Sequence, residues 1–266
     1  MKITSRDNSL LRRARAVRDG KEPALIFVEG LRLCEEGLAS GLNIEAVVYS
    51  EEIARKERPA LLINALEDVG AKSASVSEKL LESISYTRTP QGIVMLASRP
   101  AGDQASFEAR QPAVPLLVVM HSINNPVNVG AILRTAEAAG ATGVIATENT
   151  ADPFSARALR GAMGSAFRIP VWTGVSYSQV IDWCSERGVR TIGAAAKTSK
   201  AYTEVDWSGS CALIVGPESS GLSSDEIAVA NESVRIPMKG SAESLNVAVA
   251  TGILLYEANR QREGSR

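Results

Sequence analysis

Short, continuously apolar runs alternate with stretches of helical spacing along most of this chain, and that alternation limits the fold more than any other feature. In the second half the runs are "PLLVVMH", "TGVIATE", "FRIPVW", "VRTIGAAA", "CALIVG" and "SVRIP". Helices fit "NVGAILRTAEAAG", "DPFSARALRGAM", "YSQVIDWCSERG", "SSDEIAVA" and "SLNVAVATGILLYEANRQR". A strand apolar on both faces must be covered on both, which argues for a parallel sheet between helices. The first half repeats the theme. "ALIFVEG", "IEAVVYS", "AKSASVS" and "QGIVMLAS" read as strands, while "LRLCEEGLAS" and "EEIARKERPALLINALEDVG" read as helices. Between the halves, "RPAGDQASFEARQPAVP" is rich in Pro, Gly, Ala and charge and reads as a linker. The expected class is α/β: a smaller N-terminal α/β domain over residues 1–98, a linker over 99–114, and a parallel-sheet domain over 115–266.

The bulk numbers close off several function classes. The 266 residues are 45% apolar and 22% charged, ordinary for a soluble globular protein. A formal net charge of −1 gives no global basic field. The first 21 residues nonetheless hold seven basic side chains against two acidic ones, Arg12, Arg13, Arg15 and Arg18 among them. That excess suits phosphate, or merely a solvated helix face. Cys34, Cys184 and Cys211 are far apart and outside CxxC spacing, which points to a reducing compartment and no zinc site. One histidine, His121, excludes multi-histidine metal sites; a strand-end structural role is expected for it. "MKITSRDNSL" lacks the apolar core of a signal peptide, and no apolar run reaches a membrane span of roughly 18 residues. A cytoplasmic protein is expected, with no metal and no membrane.

Chemistry in such a sheet belongs at the carboxyl ends of the strands. Three stretches follow strands there. "NNPVNVGAILRTAEAAG" places Asn128 at a helix start and Arg134 on its next turns, a pairing of helix amides with a guanidinium that suits an oxyanion or phosphate. "LIVGPESSGLSSDE" ends a buried strand at Gly216 and puts Glu218 just beyond. "IPMKGSAESLNVAVATGILLYEAN" runs from a short strand through a polar loop into an apolar helix, with Ser244 and Asn246 at its start. Ser244 is expected to cap that helix. Neither GxxxxGK[ST] nor a GxGxxG after a strand occurs, so a P-loop and a dinucleotide-type site have little support.

In this order and spacing, "NPVNVGAILRTAEAAG", "IVGPESSGLSS" and "IPMKGSAESLNVAVATGILLYE" resemble motifs 1, 2 and 3 of the SpoU (TrmH) family, S-adenosylmethionine-dependent RNA ribose 2′-O-methyltransferases of the SPOUT class. "FVEGLRLCEEGLASG" and "SYTRTPQGIVMLA" are similar to that family's substrate-binding domain. The resemblance implies a deep trefoil knot in the C-terminal domain, S-adenosylmethionine bound in the knot, a homodimer, and an N-terminal domain like ribosomal protein L30e that holds RNA.

Carried over position by position, the resemblance implies a catalytic set of Asn128, Arg134, Glu218, Ser244 and Asn246. Cofactor contacts are implied for Gly216, Ile236 and Leu245, with Gly193, Met238 and Ser244 as neighbours. "RALRGAMGSAFRIP" is similar to a family segment and brings Arg160 beside the leader arginines as an RNA contact. Two departures stand out. Many relatives carry an acidic residue where this chain has His121, and aspartate is common where it has Asn125.

The implied reaction is an in-line displacement at a methyl carbon, mainly an orientation problem. An arginine seldom gives up its proton. Arg134 is therefore expected to grip phosphate or the incipient alkoxide, with Asn246 or Ser244 orienting the hydroxyl and Glu218 holding Asn128 or Arg134. Ribosomal (23S) RNA is the expected substrate, because of the extra N-terminal domain. A tRNA 2′-O-methyltransferase, an antibiotic self-resistance methylase, an inactive RNA-binding relative and a generic nucleotide-binding α/β enzyme stay open.

Overall fold

Ten apolar runs become ten strands in the computed structural model, which describes residues 1–87 and 89–264. By contact the chain divides into two bodies, Met1–Pro100 with Phe154–Arg168, and Ala101–Pro153 with Ile169–Arg266.

The first body is built on β1 (Leu25–Glu29), β2 (Ile44–Ser50), β3 (Lys72–Val76) and β4 (Ile93–Ser98), in the order β1-β4-β2-β3. β4 runs antiparallel to both β1 and β2, while β3 is parallel to β2. Its helices are α1 (Ser9–Arg18), α2 (Leu31–Ala39), α3 (Glu57–Asp68) and α4 (Glu78–Ile84). Leu11, Ala14 and Val17 of α1 recur at helical spacing and are buried with Leu81 and Ile84 of α4 against Phe27, Val48 and Leu96. The single helix expected over 51–70 is broken into a 3-10 turn, Ile53–Arg55, and α3. Pro59 explains the break. In a continuous helix its ring would meet the carbonyl of Arg55, whereas in the first turn of α3 its missing N–H costs nothing. The short helix α4 was not expected.

The second body begins with α5 (Gln104–Glu108), inside the stretch read as linker. Asp103 caps it, accepting from the Ser106 amide at 2.9 Å. Its buried Phe107 sits 5.9 Å from each of the Trp172 and Trp183 rings, centroid to centroid. Five residues are too few for a helical period to show, so only burial reveals this element. The chain continues through β5 (Leu116–Met120), α6 (Pro126–Ala138) and β6 (Gly143–Thr147). It then supplies α7 (Ala156–Ala162) and α8 (Ser165–Arg168), which belong to the first body, where α7 meets β1. Next come β7 (Val171–Val175), α9 (Tyr177–Glu186), β8 (Arg190–Ala194), β9 (Cys211–Val215), α10 (Ser224–Ala228), β10 (Glu232–Val234) and α11 (Val247–Glu263). The strand expected from Phe167 begins only at Val171, because Pro170 cannot donate to the ladder. The six strands are all parallel, ordered β10-β8-β9-β5-β6-β7.

α6 and α11 lie side by side and parallel. Asn246 bonds to Asn128 near their starts, Gly252 faces Thr135 midway, and the Asn259 amide donates to the Ala139 carbonyl at 3.1 Å near their ends. No helix among the described residues is long and apolar enough to cross a membrane. Replacing Phe107 by Ala is expected to cost the second body ~3–5 kcal/mol. Urea denaturation measures it, and a loss under about 1 kcal/mol would show that 104–108 is a dispensable tether.

Candidate active site

β5 is flanked by its successor β6 on one side and by β9 on the other, so the winding of the sheet reverses between β5 and β9. Such a switch point opens a crevice beyond the strand ends. The loops after both strands leave from this edge, and the His121 amide donates to the Val215 carbonyl at 2.9 Å.

A line of polar groups crosses the edge. The Asn128 side-chain amide donates to Glu218 Oε1 at 2.9 Å. The Asn246 amide donates to Asn128 Oδ1 at 3.1 Å. Asn246 Oδ1 in turn accepts from the amides of Ala248 at 2.9 Å and Val249 at 3.4 Å. Asn128 is buried, and both ends of its amide are satisfied. The cap of α11 is therefore Asn246, and the helix begins at Val247. Ser244, expected to be the cap, lies two residues earlier in an exposed loop. A cap must present its acceptor to the first free amides, and those amides point at Asn246. Asn125 caps α6 through the Val127 amide at 3.0 Å, with Pro126 following. The parallel helices thus aim two amino termini, and their partial positive charge, at the edge where Glu218 stands.

Gly216 has a steric reason to be glycine. A Cβ there would stand 2.7 Å from the Leu222 amide nitrogen and 2.9 Å from the Gly221 carbonyl carbon. Leu222 also reaches Gly193, at the end of β8, where a Cβ would lie 3.2 Å from its methyl. Ile236 follows β10 on the same edge and is half-buried, while Met238 and Leu245 are 36% and 37% exposed. Bare backbone at the strand ends, with apolar side chains open beside it, fits the adenosine and the carbon chain of S-adenosylmethionine. Gly193, Gly216, Ile236, Met238, Ser244 and Leu245 are the residues that would hold it.

Arg134 is exposed on α6 and has neither hydrogen bond nor ion pair among the described residues. Glu218 takes Asn128 as its partner. Sequence reasoning missed the Glu226 partnership of His121. The His121 ring bonds Glu226 Oε1 through Nε2 at 2.8 Å and Thr147 Oγ1 through Nδ1 at 3.0 Å, and it lies 4.6 Å from the Tyr177 ring. Burial pushes the Glu226 carboxyl up, but the Ser223 amide and hydroxyl and the His121 ring outweigh it and hold it low. Burial and then the Glu226 charge push the Tyr177 phenol up to about 12. The Ser-x-x-Glu spacing of Ser223 and Glu226 was the available signal, since it forms a capping box.

The leader arginines fall on or beside α1, in the first body. Arg13 pairs with Glu22 at 2.9 Å and Glu45 at 2.8 Å. Arg15 donates to the Arg6 carbonyl at 2.8 Å. Arg18 bonds Asp19 at 2.8 Å and the carbonyls of Ile84 and Ser85, each at 3.2 Å. Among the described residues Arg12 and Arg160 have no such partner, and both are exposed. Arg160, on α7, shares the first body with the leader.

A fold of this topology with this edge is matched by the SpoU rRNA Methylase family model over residues 115–256 and by the MRM3-like substrate binding domain over 10–95. The chain belongs to the SpoU rRNA methylase family. It is 31% identical over 230 residues to the 23S rRNA (guanosine(2553)-2′-O)-methyltransferase RlmP of Bacillus subtilis, covering 86% of each chain. The AdoMet-bound rRNA methyltransferase from Sinorhizobium meliloti superposes with a TM-score of 0.85 at 30% identity, over 98% of this chain and 97% of that one. The SpoU methyltransferase AviRb from Streptomyces viridochromogenes, solved with AdoMet, gives 0.87 at 26% identity, over 97% and 100%.

Gly216→Ala forces the backbone of 221–222 to move and is expected to weaken S-adenosylmethionine binding at least tenfold, ~1.4 kcal/mol or more. Isothermal titration reads this, and undiminished affinity would remove the end of β9 from the cofactor site.

Proposed function

We propose that this chain methylates a ribose 2′-hydroxyl of 23S rRNA. The observation that carries the reading is the bonded line Glu218–Asn128–Asn246, which joins three stretches far apart in sequence at the switch point of the sheet. The Bacillus subtilis and Sinorhizobium meliloti relatives, aligned over 86% and 98% of this chain, are named rRNA methyltransferases, whereas the solved enzymes named for tRNA cover only 60% and 57% of it, and this favours rRNA over tRNA.

S-adenosylmethionine, when bound, supplies an electrophilic sulfonium methyl. The protein's own task is to hold the ribose oxygen in line with it. Arg134 is an exposed cation on α6 with no partner among the described residues. It keeps its proton and steadies a phosphate or the negative charge growing on the ribose oxygen. Asn246 is committed at its oxygen to two helix amides and through its nitrogen to Asn128, so it serves as a positioning residue. The exposed Ser244 hydroxyl is free to orient the 2′-hydroxyl. Glu218 acts by fixing Asn128.

The reading includes a homodimer. Val249 and Tyr256, 52% and 55% exposed, lie seven residues apart on one side of α11. An apolar stripe on an otherwise polar surface favours a partner. It further includes the trefoil knot of the family, a cytoplasmic location and RNA contacts from Arg12, Arg13, Arg15, Arg18 and Arg160.

Wild-type protein is expected to move tritium from S-adenosyl-[methyl-³H]methionine into transcribed 23S rRNA. Arg134→Ala is expected to lose at least ~100-fold in single-turnover rate with cofactor and RNA saturating. A near-normal rate would remove Arg134 from the chemistry. Val249→Asp with Tyr256→Asp is expected to yield a monomer in sedimentation equilibrium; a dimer that survives both changes would locate the interface elsewhere.

A further inference from the structure

Only two aromatic side chains among the described residues are exposed, Tyr86 and Tyr256. Tyr256 belongs to the apolar stripe of α11. Tyr86 belongs to the first body and is 45% exposed, so a large part of its ring is open to a ligand. Hydrogen bonds fix the backbone beside it. The peptide unit that joins Ser85 to Tyr86 is gripped at both ends by charged side chains. Arg18 donates to the Ser85 carbonyl at 3.2 Å, and Glu29 Oε2 accepts from the Tyr86 amide at 2.8 Å. Glu29 accepts again from the Thr87 amide at 3.3 Å and from the Thr87 hydroxyl at 2.7 Å. Further on, Gln91 lies against Gly30, whose φ is +106° and whose missing Cβ leaves room for the Gln91 amide. Residues 85–87 and Gln91 are therefore seated at the tip of β1. Charge-assisted bonds of this kind hold a backbone firmly.

We infer that Tyr86 is a stacking platform for an unpaired nucleobase of the RNA substrate. The inference rests on the reading of this chain as an RNA methyltransferase and names a contact that the reading leaves open. RNA is recognised chiefly where bases are splayed from loops and bulges and stack on aromatic rings. A backbone tied down before binding loses little freedom on binding, so more of the stacking energy appears as affinity. Any base has a π face, so the platform tolerates sequence and sets register on the RNA.

The test compares wild type with Tyr86→Ala, Tyr86→Leu, Tyr86→Phe and Tyr86→Trp, using transcribed 23S rRNA as the probe. Tyr86→Ala and Tyr86→Leu are expected to raise the KM for RNA about 5- to 150-fold, the loss one stacked base is worth. Tyr86→Phe and Tyr86→Trp are expected to stay within about threefold, since the ring and not the hydroxyl carries the contact. The dissociation constant for S-adenosylmethionine should be the same in all five proteins. An unchanged KM in Tyr86→Ala overturns the platform. So does a Phe variant as weak as Ala, or a Leu variant as good as wild type. If wild type itself fails to methylate the transcript, the RNA-methylation reading falls and the platform with it. Wild-type transfer alongside an indifferent Tyr86→Ala sinks the platform alone.

Discussion

The side-chain amide of Asn128 is the joint on which the site depends. It is buried, and a buried amide left without partners costs ~1–3 kcal/mol. Its donor reaches Glu218, 90 residues away, and its acceptor reaches Asn246, 118 residues away. Each partner is held in turn. Asn246 caps α11, and Glu218 follows a glycine whose lack of a side chain lets the chain fold back over the strand end. A change at any one of the three releases the others, so the segments behave as one unit and not as three independent loops.

Around that joint, the charges divide into those used by the fold and those left over. Arg13 and Arg18 are paired with carboxylates, and Arg15 with a carbonyl, so much of the basic leader holds the first body together. Arg134 on α6 and Arg12 and Arg160 in the first body remain exposed. A cation without an internal partner loses no native contact when it meets phosphate, whereas a paired one must exchange one acceptor for another. Tyr86 follows the same logic with an aromatic ring. The loop spends charged hydrogen bonds on its backbone and leaves the ring in solvent.

Much of this was legible in advance, and the failures have physical causes. Most strand runs were visible because strands covered on both faces are continuously apolar, whereas β3, Lys72–Val76, shows only the alternation of a half-buried strand. The start of α11 was misplaced by about three residues because Ser and Asn are both good caps, and only the geometry of the free amides chooses between them. The helix 104–108 was hidden in a polar, proline-bearing stretch, and its one core contact, Phe107, signals nothing by itself. The bond from His121 to Glu226 spans 105 residues; the local Ser-x-x-Glu spacing marks Glu226 as part of a capping box but not as the partner of His121.

By itself the sequence determined the class of fold, the run of ten strands and the three stretches that follow strands at the switch point of the sheet. Each of these is written in periods of a few residues and in the conformational needs of Gly, Pro, Ser and Asn. Only the tertiary structure decided that Glu218 takes Asn128, that Asn246 and not Ser244 caps the last helix, that 154–168 joins the first body, and that Tyr86 is left in solvent. Those outcomes follow from strand order and from which side chains meet across the sheet edge. Local patterns fix where a strand lies in the chain but carry no instruction about which strand it lies beside.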